Sequence, residues 1–93
     1  MVITLDEPFR SKWKSGYLII NSENRRMVCL VSDNCRTTIS YSRYLMTIKL
    51  GYEIPGHLEV DHKDNDKTND DINNLQLLTK EDNALKEHYR FIM

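Results

Sequence analysis

Apolar residues in the N-terminal part of the chain (residues 1–39) come in short runs separated by polar triplets. Residues 17–21 and 27–31 are rich in β-branched and other apolar side chains, and residues 36–39 form a third candidate strand after them. A shorter candidate strand at residues 2–5 lies in an otherwise irregular lead-in. Because consecutive strands joined by short turns pair with each other, this part is expected to form a small antiparallel meander.

The next segment has the periodicity of an amphipathic helix. Its apolar side chains fall on one helix face: Tyr41, Tyr44, Leu45 and Ile48. Ser40 suits the N-cap, because its hydroxyl can accept a hydrogen bond from a free backbone N–H in the first turn. Gly51 suits the left-handed residue that ends a helix. The pattern therefore predicts a helix over Tyr41–Leu50.

The C-terminal part has the pattern of a strand, a loop, a strand and a helix. Apolar and polar residues alternate over residues 57–62, whereas residues 63–73 are almost wholly polar and are expected to form an exposed loop. A second short apolar strand follows at residues 75–78, and Thr79 begins a capping-box pattern before a helix predicted over residues 80–91. With the meander and the first helix, this ββα unit predicts the α+β fold class.

A chain of 93 residues has the size of one domain, and we expect a single domain over residues 1–93. Its expected parts are an N-terminal β region (1–39), a helix (40–51) and the ββα unit (57–91). No apolar run approaches the ~20 residues that a membrane span needs, and no charged-then-apolar leader opens the chain. The protein is therefore expected to be soluble and intracellular.

The net charge of −1 hides an uneven distribution along the chain. Residues 1–50 contain eight Lys and Arg against four acidic residues, whereas residues 51–93 contain five against ten. A basic half can meet nucleic-acid phosphates while an acidic half holds a cation, although surface charge can also segregate by chance. The two cysteines, Cys29 and Cys35, cannot supply a four-ligand zinc site, and free thiols are expected.

Four side chains of the ββα unit can carry chemistry. Asp61 and His62 are adjacent at the end of a predicted strand, so both can act at one place only if the strand ends and twists there. Asp61 offers a hard anionic oxygen suited to Mg²⁺, and a histidine can accept a proton from water near neutral pH. Asn83 offers an amide oxygen in the first turn of the last helix, and Asn74 lies where its amide can tie the loop and orient His62. Two neighbouring strands and the following helix can bring these groups together.

The order and spacing of these groups resemble the motif of the HNH endonucleases, also called ββα-metal nucleases: Asp61-His62, Asn74 within Ile-Asn-Asn-Leu, and Asn83 within Lys-Glu-Asp-Asn. The wider stretch of residues 41–62 is also similar to the small phage-encoded and homing members of that family. The resemblance covers residues 40–88 well, whereas the hairpin that begins at Gly16 matches only loosely. It implies the cytoplasm of a bacterium or of a phage-infected host cell as the location.

The resemblance implies a metal-dependent endonuclease that hydrolyses phosphodiester bonds of double-stranded DNA, by nicking or by double-strand cleavage, and leaves 5′-phosphate and 3′-hydroxyl ends. His62 takes the place of the general base that activates water, and Asn74 positions it. Asp61 and Asn83, the latter replacing the last histidine of the family name, become ligands of Mg²⁺, for which Mn²⁺ or another divalent cation can substitute. Arg43 on the preceding helix is expected to contact the scissile phosphate or the leaving group.

Other interpretations of the same residues stay open. The chain lacks the zinc-binding cysteines of some family members, and 93 residues leave little room for the DNA-reading module of many homing members. A non-catalytic DNA-binding or phage DNA-packaging accessory module on the HNH fold is therefore the alternative function, and both a monomer and a homodimer fit the pattern. An EF-hand is excluded, because a loop that starts at Asp64 has Asn69 where that motif needs glycine and Leu75 where it needs glutamate.

Overall fold

The computed structural model describes residues 1–92 of the chain, except the side chains of Glu87 and of residues 89–92. The fold is of the predicted α+β class, with an antiparallel meander followed by a helix and a ββα unit. In chain order the elements are β1 (Val2–Ile3), α1 (Phe9–Lys12), β2 (Ser15–Ile20), β3 (Arg26–Val31), β4 (Arg36–Ser40), α2 (Tyr41–Leu50), β5 (Leu58–His62), a 3₁₀ turn (Ile72–Asn74), β6 (Leu75–Thr79) and α3 (Lys80–Ile92).

Strands β1 to β4 form one antiparallel sheet in sequence order. Val28 and Leu30 of the central strand β3 point to the covered face and are fully buried. Gly16 lies opposite Leu30 on β2, and a Cβ atom there would come within 2.6 Å of a Leu5 methyl group. The absence of a side chain at Gly16 therefore lets the lead-in pack directly onto the sheet.

Helix α1 is a difference from the predicted irregular lead-in. This element has four residues, which is too short for an apolar periodicity to be recognisable in the sequence. Its anchor is Phe9, which is buried and stacks on the ring of Tyr44 with the ring centroids 4.8 Å apart. The lead-in thus contributes a hydrophobic anchor to the core rather than a loose end.

Helix α2 has the predicted bounds and both predicted caps. The Ser40 hydroxyl accepts a hydrogen bond from the Arg43 backbone N–H at 3.2 Å, and Gly51 has a φ of 80° and donates its N–H to the Thr47 carbonyl. The helix separates two apolar clusters. Tyr44 belongs to the cluster under the four-stranded sheet, and Met46 belongs to the cluster under the ββα unit. This helix is therefore the shared packing layer of the molecule.

The ββα unit consists of the β5–β6 hairpin and α3. The two strands pair antiparallel, with Leu58 opposite Thr79 and His62 opposite Leu75. The Thr79 side chain accepts from the Asp82 backbone N–H at 3.1 Å, so the predicted cap of the last helix is present. None of the helices in the described residues has the length and apolar character that crossing a membrane requires.

Candidate active site

A cleft of about 230 Å³ opens beside the end of β5. Its walls hold two acidic, two basic and several neutral side chains: Arg25, Glu59, Val60, Asp61, His62, Asn65, Lys67 and Asn83. The predicted residues Asp61, His62 and Asn83 thus line one cleft, together with Glu59. Asp61 and His62 therefore meet at one place although they are consecutive residues of a strand.

His62 is held by a carboxylate from the polar loop. Its Nε2 lies 2.8 Å from Oδ1 of Asp70, and both residues are only 5% exposed. The second oxygen of Asp70 accepts from Nε of Arg26 at 3.3 Å, and the Arg26 guanidinium lies 4.8 Å over the ring of Tyr41. The imidazole is therefore the end of a chain of polar contacts that reaches back to β3 and α2.

Asp61 is held by a cation from the last helix. Its Oδ2 accepts from the Lys86 ammonium at 2.6 Å and from the Gln76 side-chain amide at 2.8 Å. The same ammonium donates to the His62 backbone carbonyl at 2.8 Å. Asp61 is only 7% exposed, so a buried negative charge is balanced by Lys86 and ordered by Gln76 across the hairpin.

Asn74 ties the polar loop together. Its side-chain amide donates to Oδ1 of Asp64 and to the Asn69 carbonyl, both at 2.9 Å, and its side-chain oxygen accepts from the Asp64 backbone N–H at 3.1 Å. Its carbonyl accepts from the Lys63 N–H at 2.8 Å, directly after His62. Asn74 thus acts on the backbone beside His62, whereas the side chain that touches the imidazole is Asp70.

The loop carboxylate Asp64 is unusually well hydrogen-bonded for an exposed group. The Asn69 side-chain amide donates to its Oδ2 at 2.9 Å, and the Asp66 backbone N–H and the Asn74 amide donate to its Oδ1. These bonds, with that from Asn69 the most important, lower the pKa of Asp64 from 3.8 to about 2. The ionised carboxylate therefore organises the loop that carries Asp70.

Asn83 faces the cleft from the first turn of α3. Its side-chain amide donates to Oε2 of Glu59 at 3.1 Å, which turns the amide oxygen away from that carboxylate. The oxygens of Glu59, Asp61 and Asn83 are hard donors, the type that Mg²⁺ and Mn²⁺ prefer. No cluster of three or more His, Cys, Asp or Glu side chains suited to a metal occurs in the described part of the chain.

Arg43 lies outside this cleft. Its guanidinium donates to the Ile54 carbonyl at 3.0 Å and lines a different pocket, beside Trp13 and Thr47. The predicted contact of Arg43 with a scissile phosphate has no support from this position. The basic side chains that line the cleft are Arg25 and Lys67.

Several residues of the site were not singled out from the sequence, and all of them hold or flank the predicted ones: Arg25, Arg26, Lys67, Asp70, Gln76 and Lys86. One of them had a local signal, because Lys86 lies three residues after Asn83 and therefore shares its helix face. Asp70 lies in a loop with no periodicity, and four acidic residues of that loop look alike in sequence. Only the folded chain distinguishes the buried one.

Comparisons with known proteins identify a family and a fold that the chain resembles. Residues 42–85 match the family model described as HNH endonuclease. The fold is similar to that of a chain in a solved structure described as DNA binding and cleavage by the HNH homing endonuclease I-HmuI, with a TM-score of 0.62 and 22% sequence identity.

That likeness covers 86% of this chain and 45% of the other, so the present chain spans less than half of its structural relative. No curated protein matches the chain in sequence. The resemblance to the HNH endonucleases is therefore confirmed, over residues 42–85 by the family model and over most of the chain by the fold.

Proposed function

We propose that this chain is a metal-dependent endonuclease that hydrolyses phosphodiester bonds of double-stranded DNA. The observation that carries the proposal is the single cleft shared by His62, Asp61 and Asn83. These three residues lie in the segment that matches the HNH endonuclease family model. DNA as the substrate is supported by Arg25 and Lys67 at the same cleft, because basic side chains bind phosphates.

His62 acts as the general base in this proposal. One imidazole nitrogen is engaged by Asp70, and the other can take a proton from a water molecule that approaches a phosphodiester in the cleft. The water oxygen forms a bond to phosphorus and the bond from phosphorus to the 3′-oxygen breaks. The products are a 5′-phosphate and, after protonation of the leaving oxygen, a 3′-hydroxyl.

Asp61 and Asn83 would hold the divalent cation, Mg²⁺ or Mn²⁺. A bound cation would supply positive charge that stabilises the negative charge of the transition state. Asp61 offers the charged oxygen and Asn83 a neutral one, and their partners Gln76 and Glu59 fix the orientation of both. Asn74 keeps the loop and the strand end beside His62 in place.

A plasmid assay tests the proposal. Purified protein is mixed with supercoiled DNA and Mg²⁺, in parallel with His62→Ala and with the matched variant His57→Ala, whose histidine is exposed and is not among the residues that line the cleft. We expect nicked circles from wild type and His57→Ala, and none from His62→Ala or after chelation of the metal. One site cuts one strand, so nicked circles should precede linear DNA.

Two results would contradict the proposal, the first for the role of His62 and the second for the nuclease activity itself. Equal cleavage by wild type and His62→Ala, with the same circular dichroism spectrum for both, would exclude His62 as the general base. Binding of DNA without metal, with no cleavage under any divalent cation, would instead support a non-catalytic DNA-binding or packaging module.

A further inference from the structure

The contact between His62 and Asp70 distinguishes one loop carboxylate from its neighbours. Asp64, Asp66 and Asp71 of the same loop are exposed, whereas Asp70 is 5% exposed and lies against the imidazole. Burial of a carboxylate costs free energy unless both oxygens find donors. The polar character of an exposed loop therefore does not explain why this one carboxylate is buried.

The partners of Asp70 use its two oxygens separately. Oδ1 faces Nε2 of His62 at 2.8 Å, and Oδ2 faces Nε of Arg26 at 3.3 Å. Arg26 begins β3 and lies over the ring of Tyr41, the first residue of α2. Each oxygen of the carboxylate therefore has a partner on a strand outside the loop, and these two contacts together orient Oδ1 toward His62.

This orientation determines which imidazole nitrogen can accept a proton. An ionised carboxylate only accepts hydrogen bonds, so Nε2 carries the hydrogen and the lone pair of the neutral ring lies on Nδ1. The hydrogen bond between the imidazole and Asp70 uses Nε2, so Nδ1 is the ring nitrogen left for a water molecule.

We infer that Asp70 is the positioning residue of His62, and that it selects the tautomer with the lone pair on Nδ1 and directs that nitrogen to water. Arg26 completes the arrangement by occupying the other carboxylate oxygen. The inference rests on the proposed nuclease, because a tautomer matters only where a proton is taken. It assigns to Asp70 no contact with DNA or with the cation.

The decisive variant is Asp70→Asn, which keeps the shape of the side chain. The Arg26 guanidinium only donates, so it should attract the amide oxygen and turn the amide NH₂ group toward Nε2 of His62. Nε2 then becomes the acceptor and the hydrogen moves to Nδ1. Asp70→Ala, in contrast, removes the selection without reversing it.

Long-range ¹H–¹⁵N NMR correlations of the imidazole measure this directly, without metal or DNA and at a pH where imidazoles are neutral. We expect the Nε2–H tautomer in wild type, the Nδ1–H tautomer in Asp70→Asn and a mixture in Asp70→Ala, with His62→Gln identifying the resonance. Asp71→Ala disturbs the same loop, since Asp71 caps the 3₁₀ turn, and should keep the wild-type tautomer. The same tautomer in wild type, Asp70→Asn and Asp70→Ala would overturn the inference.

Steady-state cleavage gives the second readout. The kcat of Asp70→Asn should fall on the order of 10- to 100-fold while KM for DNA stays within about twofold, as for other residues that orient a reacting histidine. If Asp70→Asn cleaves DNA with the wild-type tautomer and the wild-type kcat, the role of Asp70 is contradicted and the nuclease is not. The expected tautomers together with no cleavage by wild type contradict the nuclease.

Discussion

Asp61 and His62 are neighbours in β5, yet they are held by partners of opposite charge from different parts of the fold. His62 meets the carboxylate of Asp70 from the loop, and Asp61 meets the ammonium of Lys86 from α3. The first partner orients a ring whose free nitrogen can accept a proton. The second balances an anionic oxygen that can bind a cation. In the proposed nuclease Asp70 must therefore stay in place for His62 to act, whereas Lys86 can leave Asp61.

We call the contact of His62 with Asp70 the loop side of the site and the contact of Asp61 with Lys86 the Asp61 side. The loop side is the fixed one and the Asp61 side the exchangeable one. Asp70 has a second partner in Arg26 and is 5% exposed, so its contact with His62 is part of the folded core. The Lys86 side chain is 24% exposed and carries its ammonium on a flexible four-carbon stem. In the proposed nuclease this ammonium would therefore leave Asp61 when a divalent cation binds. Variants on the Asp61 side should therefore change metal binding, and variants on the loop side should change the rate.

The largest effect is expected from Asp61→Ala. Loss of the charged oxygen should abolish measurable Mn²⁺ binding in calorimetry and reduce cleavage on the order of 10²- to 10³-fold or more, the range for removal of one electrostatic group at a reacting centre. Asp33→Ala, which removes an exposed carboxylate that is not among the cleft residues, is the matched control. Retention of Mn²⁺ affinity by Asp61→Ala would exclude this residue as a ligand.

A smaller effect in the same direction is expected from Asn83→Ala. The amide oxygen is neutral, so its loss should weaken Mn²⁺ binding by about tenfold rather than abolish it. Titration calorimetry of the variant beside Asn73→Ala, an exposed asparagine of the 3₁₀ turn, measures the difference. Identical Mn²⁺ affinity in both variants would place the second ligand elsewhere in the cleft, with Glu59 the next donor.

The elements that carry Asp61 and His62 could be predicted from the sequence, whereas their partners Lys86 and Asp70 could not. The helix Tyr41–Leu50 has local signals at both ends, in the Ser40 cap and in Gly51, and the chain uses them as predicted. The ββα unit follows from alternation and from the Thr79 cap.

The choice of Asp70 among four loop carboxylates depends instead on Arg26, which is 44 residues away in sequence. A contact between residues so far apart in sequence leaves no local pattern. The short helix α1 was missed for a related reason, because Phe9 is defined by its stacking on Tyr44 and not by a periodicity.

Lys86→Met tests whether the ammonium is exchangeable. Without it the buried charge of Asp61 lacks its balance, so the free energy of unfolding should fall by about 1–3 kcal/mol in the absence of metal. Mg²⁺ should then raise the melting temperature more than in wild type, because the cation no longer competes with an ammonium. Lys80→Met, at an exposed position of the same helix, should show neither change. An equal response of wild type and Lys86→Met to Mg²⁺ would mean that Lys86 does not compete for Asp61.

Asn74→Ala tests the loop side without touching the cation. Its amide ties Asp64 and Asn69, so the variant should keep the Mn²⁺ affinity of wild type and lose about tenfold in kcat as the strand end beside His62 loosens. Single-turnover cleavage together with calorimetry separates the two quantities. A variant that loses metal affinity in proportion to its rate would show that the two sides of the cleft are not independent.

The smallest effect is expected from acid, and it should act on the loop side first. Hydrogen bonds from Asn69, Asp66 and Asn74 hold the pKa of Asp64 at about 2, below the ordinary 3.8. Since the folded pKa is the lower one, the contribution of this carboxylate to stability is complete above pH 3.8 and is lost as the pH falls toward 2. Asp64→Asn should therefore be less stable than wild type at neutral pH and should lose less stability over this acidic window.

Chemical denaturation followed by circular dichroism, at several pH values from neutral to the lowest at which the protein is folded, measures how stability falls with pH. Asp66→Asn is the companion variant, because the Thr68 side chain and backbone lower the pKa of Asp66 as well and the sign should be the same. If Asp64→Asn and wild type instead follow parallel curves in acid, the ionised carboxylate does not stabilise the loop. The position of Asp70 against His62 would then depend on Arg26 and on the other hydrogen bonds of the loop.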